Sequence, residues 1–123
     1  MARSHKEKGN RGEREWRDFL IAHGFKAIRN RDDLVDVRSN VENVHWEVKR
    51  QENPQLLKAM RQAQRDCNGN GRIPIVAFRT NRSDWLAVVP AEFLMELLKI
   101  REAVREVSPG KFSDGFSRPY DGS

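Results

Sequence analysis

Two strand-like stretches and the segment that joins them constrain this chain more than any other feature. VHWEVKR (44–50) alternates apolar and polar side chains, so as a strand it puts Val44, Trp46 and Val48 on one face and His45, Glu47 and Lys49 on the other. RIPIVAFR (72–79) is a second apolar run of strand length. Between them, NPQLLKAMRQAQRDC opens with Asn53 as a helix cap and Pro54 at the first helical position. It carries Leu56, Leu57, Met60, Ala63 and Cys67 and stops at NGNG. A crossover helix of this length lets the later strands run parallel to the earlier ones. The expected unit is therefore strand, helix, parallel strand, the signature of a mixed α/β fold.

The flanking segments extend that unit. Residues 10–23 form a helix with Trp16, Phe19 and Leu20 as its apolar stripe, ended by Gly24. FKAIRN and DLVDVRS read as strands, the latter joined to VHWEVKR by a polar turn at residues 40–43. WLAVV follows RIPIVAFR across TNRSD as a further strand, and PAEFLMELLKIREAV opens with Pro90 as a last amphipathic helix. The expected order is α, three β, α, two β, α, with about five strands in one sheet and helices against it. A chain of 123 residues has room for one hydrophobic core. Residues 1–9 read as a flexible basic arm, 10–107 as the folded domain and 108–123 as a tail expected to be disordered. Phe112, Phe116 and Tyr120 recur in that tail at a spacing of four.

Composition excludes several classes. A lone cysteine, Cys67, rules out an intramolecular disulfide and any cysteine-based zinc cluster, and fits a reducing, cytoplasmic setting. No run approaches the roughly 20 apolar residues of a membrane span, so a soluble protein without a membrane partner is expected. The net charge of +5 lies entirely at the front: residues 1–31 hold nine Lys/Arg against four Asp/Glu, and the remainder holds fourteen of each. A basic segment of this kind favours a polyanion through counterion release, although the same charges also suit a solvated arm.

The polar face of VHWEVKR raises the chemical question. Were DLVDVRS to pair antiparallel with it, Asp36 would lie opposite or diagonal to Glu47, putting two carboxylates beside Lys49. Facing like charges destabilise a sheet, and a divalent cation removes the conflict; oxygen donors suit Mg²⁺ or Mn²⁺. An isolated Glu-x-Lys is equally what a solvent-facing ladder pair looks like. Asp36, however, sits among valines, where an unpaired carboxylate is costly. Glu13 lies nearer the apolar stripe of the first helix than Glu15 does.

In this order, KGNRGEREWRDFLIAHGFKAIRN, then LVDV, then WEVKR, the sequence resembles the PD-(D/E)xK nucleases, in particular the archaeal-type Holliday junction resolvases and their phage relatives. Lys8-Gly9 precede Glu13, Gly24-Phe25 follow the helix, and Asp36, Glu47 and Lys49 complete the set, over residues 6–90. Val35 stands where the family often has proline, and NRDD replaces a Gly-Ser-rich loop, so Asp32 and Asp33 compete with Asp36. The resemblance implies a restriction-endonuclease-like fold with a central mixed sheet, and a nuclease domain over residues 10–107. It implies Glu13, Asp36, Glu47 and the Val48 carbonyl as ligands of Mg²⁺, with Mn²⁺ able to substitute, and Lys49 assisting the attacking water.

The resemblance further implies a structure-selective DNA endonuclease of recombination and repair that makes paired cuts at four-way junctions. Two symmetric cuts need a homodimer, and the last helix offers surplus apolar surface in Met95 and Ile100. The setting would be the cytoplasm, or the host's for a phage protein. Lys6, Lys8, Arg11, Arg14, Arg29 and Arg31 are the candidate phosphate contacts, and Gln64 a candidate accessory residue on the second helix, beside Arg61, Gln62 and Arg65. His45 flanks Glu47 on the same face, where a contact to phosphate or metal is the alternative to the favoured reading as a strand-edge histidine in solvent, and Trp46 and Trp85 are read as core. The alternatives are a nuclease of the same chemistry with a nicked, flapped or restriction-like substrate, and a non-catalytic nucleic-acid-binding module.

Overall fold

The computed structural model describes residues 5–29, 37–67, 69 and 71–108, with side chains from residue 11 onward. The elements are α1 (His5–Ala22), β1 (Ala27–Arg29), β2 (Val37–Ser39), β3 (Val44–Arg50), α2 (Leu56–Asp66), β4 (Ile73–Arg79), β5 (Leu86–Val88) and α3 (Ala91–Val107). This is the order read from the sequence. The chain divides into two units, Met1–Pro90 and Ala91–Ser123, and α3 belongs to the second. No helix among the described residues is long and apolar enough to cross a membrane.

The crossover is as the sequence requires. β3 and β4 run parallel, from Val44 opposite Ile73 to Arg50 opposite Arg79, and β5 closes antiparallel on β4 through Val76–Val88 and Phe78–Leu86. Because parallel partners point to the same side, Glu47 shares a face with Val76. Val76 is fully buried against Ala59 and Met60 of α2, with Leu56 and Val88 packed around them. That fixes α2 over the His45, Glu47 and Lys49 side of β3.

The other side carries α1. Trp16 packs edge-on against Trp46 at 5.1 Å and lies 5.0 Å from Trp85. Gly12 faces β3 so closely that a Cβ there would meet Arg50 Cβ at 2.9 Å, so the helix backbone itself rests on the strand. Glu15 fastens this contact, accepting from Arg50 Nε at 2.8 Å, Arg11 Nε at 3.0 Å and Arg79 Nη1 at 3.5 Å.

Three expectations change. The five strands form two sheets, β1–β2 and β3–β4–β5, and among the described residues β2 pairs with β1, not with β3. The reason is local: Asn40 clips the end of β2 to the strand before it. Its N–H donates to the Lys26 carbonyl and its Oδ1 accepts from the Lys26 N–H, both at 3.0 Å. The chain then bends at residues 40–43, with Asn43 left-handed at φ 58°, and β3 turns its backbone to β4. Second, α1 begins at His5, not at residue 10, so the segment read as an arm is helical from His5. Lysine and glutamate are good helix formers, and they outweigh the roughly 1 kcal/mol cost of one glycine. Third, α2 starts at Leu56 with Gln55 at the cap position and no side-chain capping bond, so Asn53 and Pro54 lie in the approach.

Candidate active site

Crossover geometry decides which side chains meet Glu47. A helix joining parallel strands must run back along them, and the 11 residues of α2 cover about 16 Å against roughly 23 Å for the seven of β3, so with its flanking connections it spans the strand. Its C-terminal end therefore returns over the start of β3. Asp66, the last residue of α2, comes beside His45, and Glu47 and Lys49 follow along the same face.

The distances are short. Lys49 Nζ stands 3.4 Å from Glu47 Oε1, while His45 Nε2 stands 3.8 Å from Glu47 Oε2 and 3.6 Å from Asp66 Oδ2. Glu47 is 7% exposed and His45 3%, whereas the Lys49 side chain is 37% exposed. Neither the solvent-facing ladder pair nor the solvent-facing histidine is what the fold builds. α2 covers the inner part of this face, and only Lys49 reaches water.

Lys49 opens onto a cleft of about 340 Å³ shared with Gln51, Asn53, Gln55, Lys58 and Gln62. Every polar side chain there is neutral or cationic, so the cleft suits an anionic ligand. On the exposed side of α2, Lys58, Arg61 and Arg65 border a second concavity with Gln55. Gln64 is exposed on the same helix.

The other expected site residues are distributed as follows. Glu13 accepts from Arg29 Nε at 2.8 Å and is not part of the group that closes on Glu47. Among the described residues that group is His45, Glu47 and Asp66, whose donor atoms lie within 4.8 Å of one another. Arg11 pairs with Glu15, and Arg14 is exposed. Val48 is buried on the α1 side of β3, which leaves its carbonyl in the plane of the sheet. Asp36, its competitors Asp32 and Asp33, and Arg31 lie outside the described residues, as do the side chains of Lys6 and Lys8 and the aromatic residues of the tail. Sequence reasoning passed over Asp66 altogether. Its signal was positional: the end of a crossover helix lies over the beginning of the strand that precedes it.

No family model matches the chain, and no curated protein does. Among solved structures it is similar to Archaeoglobus fulgidus Hjc, a Holliday junction resolvase from an archaeal hyperthermophile, a protein of the kind that the Lys-Gly, Gly-Phe, Asp and Glu-x-Lys order resembles. The identity is 22%, the TM-score 0.47, and the match covers 67% of this chain and 72% of the other.

Proposed function

We propose that the protein is a divalent-metal-dependent, structure-selective DNA endonuclease, cutting four-way junctions in pairs as a Holliday junction resolvase does. The observation that carries this reading is the buried Glu47 carboxylate with Lys49 Nζ at 3.4 Å, the lysine itself lining a cleft that has no acidic residue in its wall. A buried carboxylate is costly unless a cation meets it, and here the nearest cation is a half-exposed lysine turned to the cleft. On this reading Glu47 and the Val48 carbonyl from β3 would hold an oxygen-seeking dication, with Asp36 as a further carboxylate and Glu13 joining on release from Arg29.

Bound there, Mg²⁺, or Mn²⁺ in its place, supplies Lewis acidity and a water acidified toward neutrality. The protein's own groups do the rest. Glu47 is held by the β3–β4 ladder and by α2, so its carboxylate keeps one orientation beside Lys49. Lys49 puts a positive charge and a proton donor beside an incoming phosphate, where charge develops during in-line attack. Lys58, Arg61 and Arg65 lie along one exposed side of α2, positioned to hold the backbone of the same strand. Lys6, Lys8, Arg11, Arg14, Arg29 and Arg31 extend the basic surface, with Arg11 and Arg29 giving up carboxylate partners to reach phosphate.

Paired cuts call for two copies. In α3, Leu94, Met95, Leu97, Leu98 and Ile100 are exposed and no residue is buried, which suits a partner helix. The test is cleavage of an end-labelled four-way junction, a matched linear duplex and a flap, with and without Mg²⁺. Paired symmetric cuts confined to the junction and dependent on Mg²⁺ support the resolvase. Equal cutting of all three substrates keeps the nuclease and rejects junction selectivity, and binding without cutting rejects both.

A further inference from the structure

Glu47 presents its two oxygens to different neighbours. Oε1 stands 3.4 Å from Lys49 Nζ, while Oε2 stands 3.8 Å from His45 Nε2, the same nitrogen that Asp66 Oδ2 approaches at 3.6 Å. The second group has a property that the first lacks. His45 is 97% buried by its 3% exposure, and its Nε2 has no hydrogen-bond partner among the described residues. A buried ring nitrogen without a partner bears its full desolvation cost uncompensated, and native interiors rarely leave one so.

Proton sharing does not resolve the arrangement. At 3.6 Å and 3.8 Å the two carboxylates are too far from Nε2 for hydrogen bonds, yet both stand beside it. Those separations are a few tenths of an ångström wider than one ion would set, since donors about 2.1 Å from an ion lie about 3.4 Å apart in a tetrahedron and about 3.0 Å apart at adjacent corners of an octahedron, so the group closes on an ion with small side-chain movements. Asp66 adds a further reason, because a carboxylate in the last turn of α2 faces the negative end of the helix dipole, and a cation there offsets that repulsion.

We infer that His45 Nε2, Glu47 Oε2 and Asp66 Oδ2 form a binding site for a first-row transition-metal dication. One imidazole and two carboxylates are the donors such ions accept, whereas Mg²⁺ keeps to oxygen and water. The ion ties the end of α2 to β3 and fixes the Glu47 carboxylate through Oε2, leaving Oε1 to Lys49. The inference shares Glu47 with the nuclease reading but does not need it.

The test uses Co²⁺ and Mn²⁺ on the full chain without DNA. Co²⁺ is followed by its visible absorption, and Mn²⁺ by loss of its free-ion spin-resonance signal. The expected result is one tightly held ion per chain that excess Mg²⁺ does not displace, with binding weakened at least about tenfold in both His45→Gln and Asp66→Asn. Asp66 is a third exposed, so Asp66→Asn keeps the test open should the buried His45 variant fail to fold. Binding unchanged in Asp66→Asn, or full displacement of Co²⁺ by Mg²⁺, overturns the site. Junction cleavage assayed on the same proteins separates the two readings. Metal held through His45 and Asp66 with no cleavage rejects only the nuclease; Mg²⁺-dependent cleavage without Co²⁺ binding rejects only this site.

Discussion

Gly12→Ala sets two local effects against each other, and the structure decides the sign. Helix propensity alone favours alanine by about 1 kcal/mol in a helix interior. The added methyl, however, arrives 2.9 Å from Arg50 Cβ and 3.6 Å from Val48 Cγ1. A Cβ is fixed to its backbone and cannot rotate away, so relief requires α1 and β3 to part by roughly an ångström, to ordinary carbon contact. Overpacking of that kind costs about 1–3 kcal/mol, and the separation also lengthens the Arg50–Glu15 contact of 2.8 Å. The net expectation is a loss of about 1 kcal/mol. In a urea titration, with a slope of about 1–3 kcal/mol per molar, that lowers the midpoint by roughly 0.5 M at unchanged slope. Gly12→Val should lose more, since β-branching adds both bulk and a propensity penalty. A midpoint for Gly12→Ala equal to or above that of the native protein would refute the close seating of α1 on β3.

Glu15→Gln leaves Arg50 and Arg79 without their shared carboxylate and should cost about 2 kcal/mol, read as a lowered melting temperature that rising salt partly conceals in the native protein. Val76→Ala opens a void between α2 and the sheet at a fully buried position and should cost about 2 kcal/mol by denaturant titration, with the near-ultraviolet spectrum retained. For Cys67, burial pushes the thiol above its ordinary value of 9.0, against a smaller downward pull from Arg72 and a small upward push from Asp66. Labelling by a thiol reagent at pH 8 should therefore be slow until the protein is unfolded. Because the folded state holds this proton more tightly than the unfolded one, its contribution to stability is complete below pH 9.0 and falls as pH rises through the folded value. Cys67→Ser should flatten that alkaline loss, as measured by melting temperature between pH 8 and 10.5.

How much of this was legible in the sequence depended on whether the information was local. Alternation in VHWEVKR, the length of the connecting helix and the apolar run of RIPIVAFR led directly to the β3–α2–β4 crossover. The Trp16 and Leu20 stripe likewise identified the buried side of α1. The pairing of β2 stayed open in the sequence because a three-residue strand carries too little pattern to choose its neighbour; the choice fell to Asn40, whose side chain bonds to Lys26 fourteen residues earlier. His45 was legible as a neighbour of Glu47 but not as a buried one, since burial depended on where α2 lands. Asp66 depended on the same placement. Glu47 and Lys49 needed only strand alternation, and there the sequence was enough to put both on one face.

The account turns on whether the Glu47 and Lys49 face performs phosphodiester hydrolysis, and the most direct measurement is single-turnover cleavage of a four-way junction in Mg²⁺ by Glu47→Gln and Lys49→Met. Junction affinity is measured on the same proteins. Each variant is expected to lose at least about a hundredfold in cleavage rate. Affinity should change by less than about threefold, because positioning rests on the basic residues of α1 and α2. Cleavage at the native rate by either correctly folded variant would contradict the account.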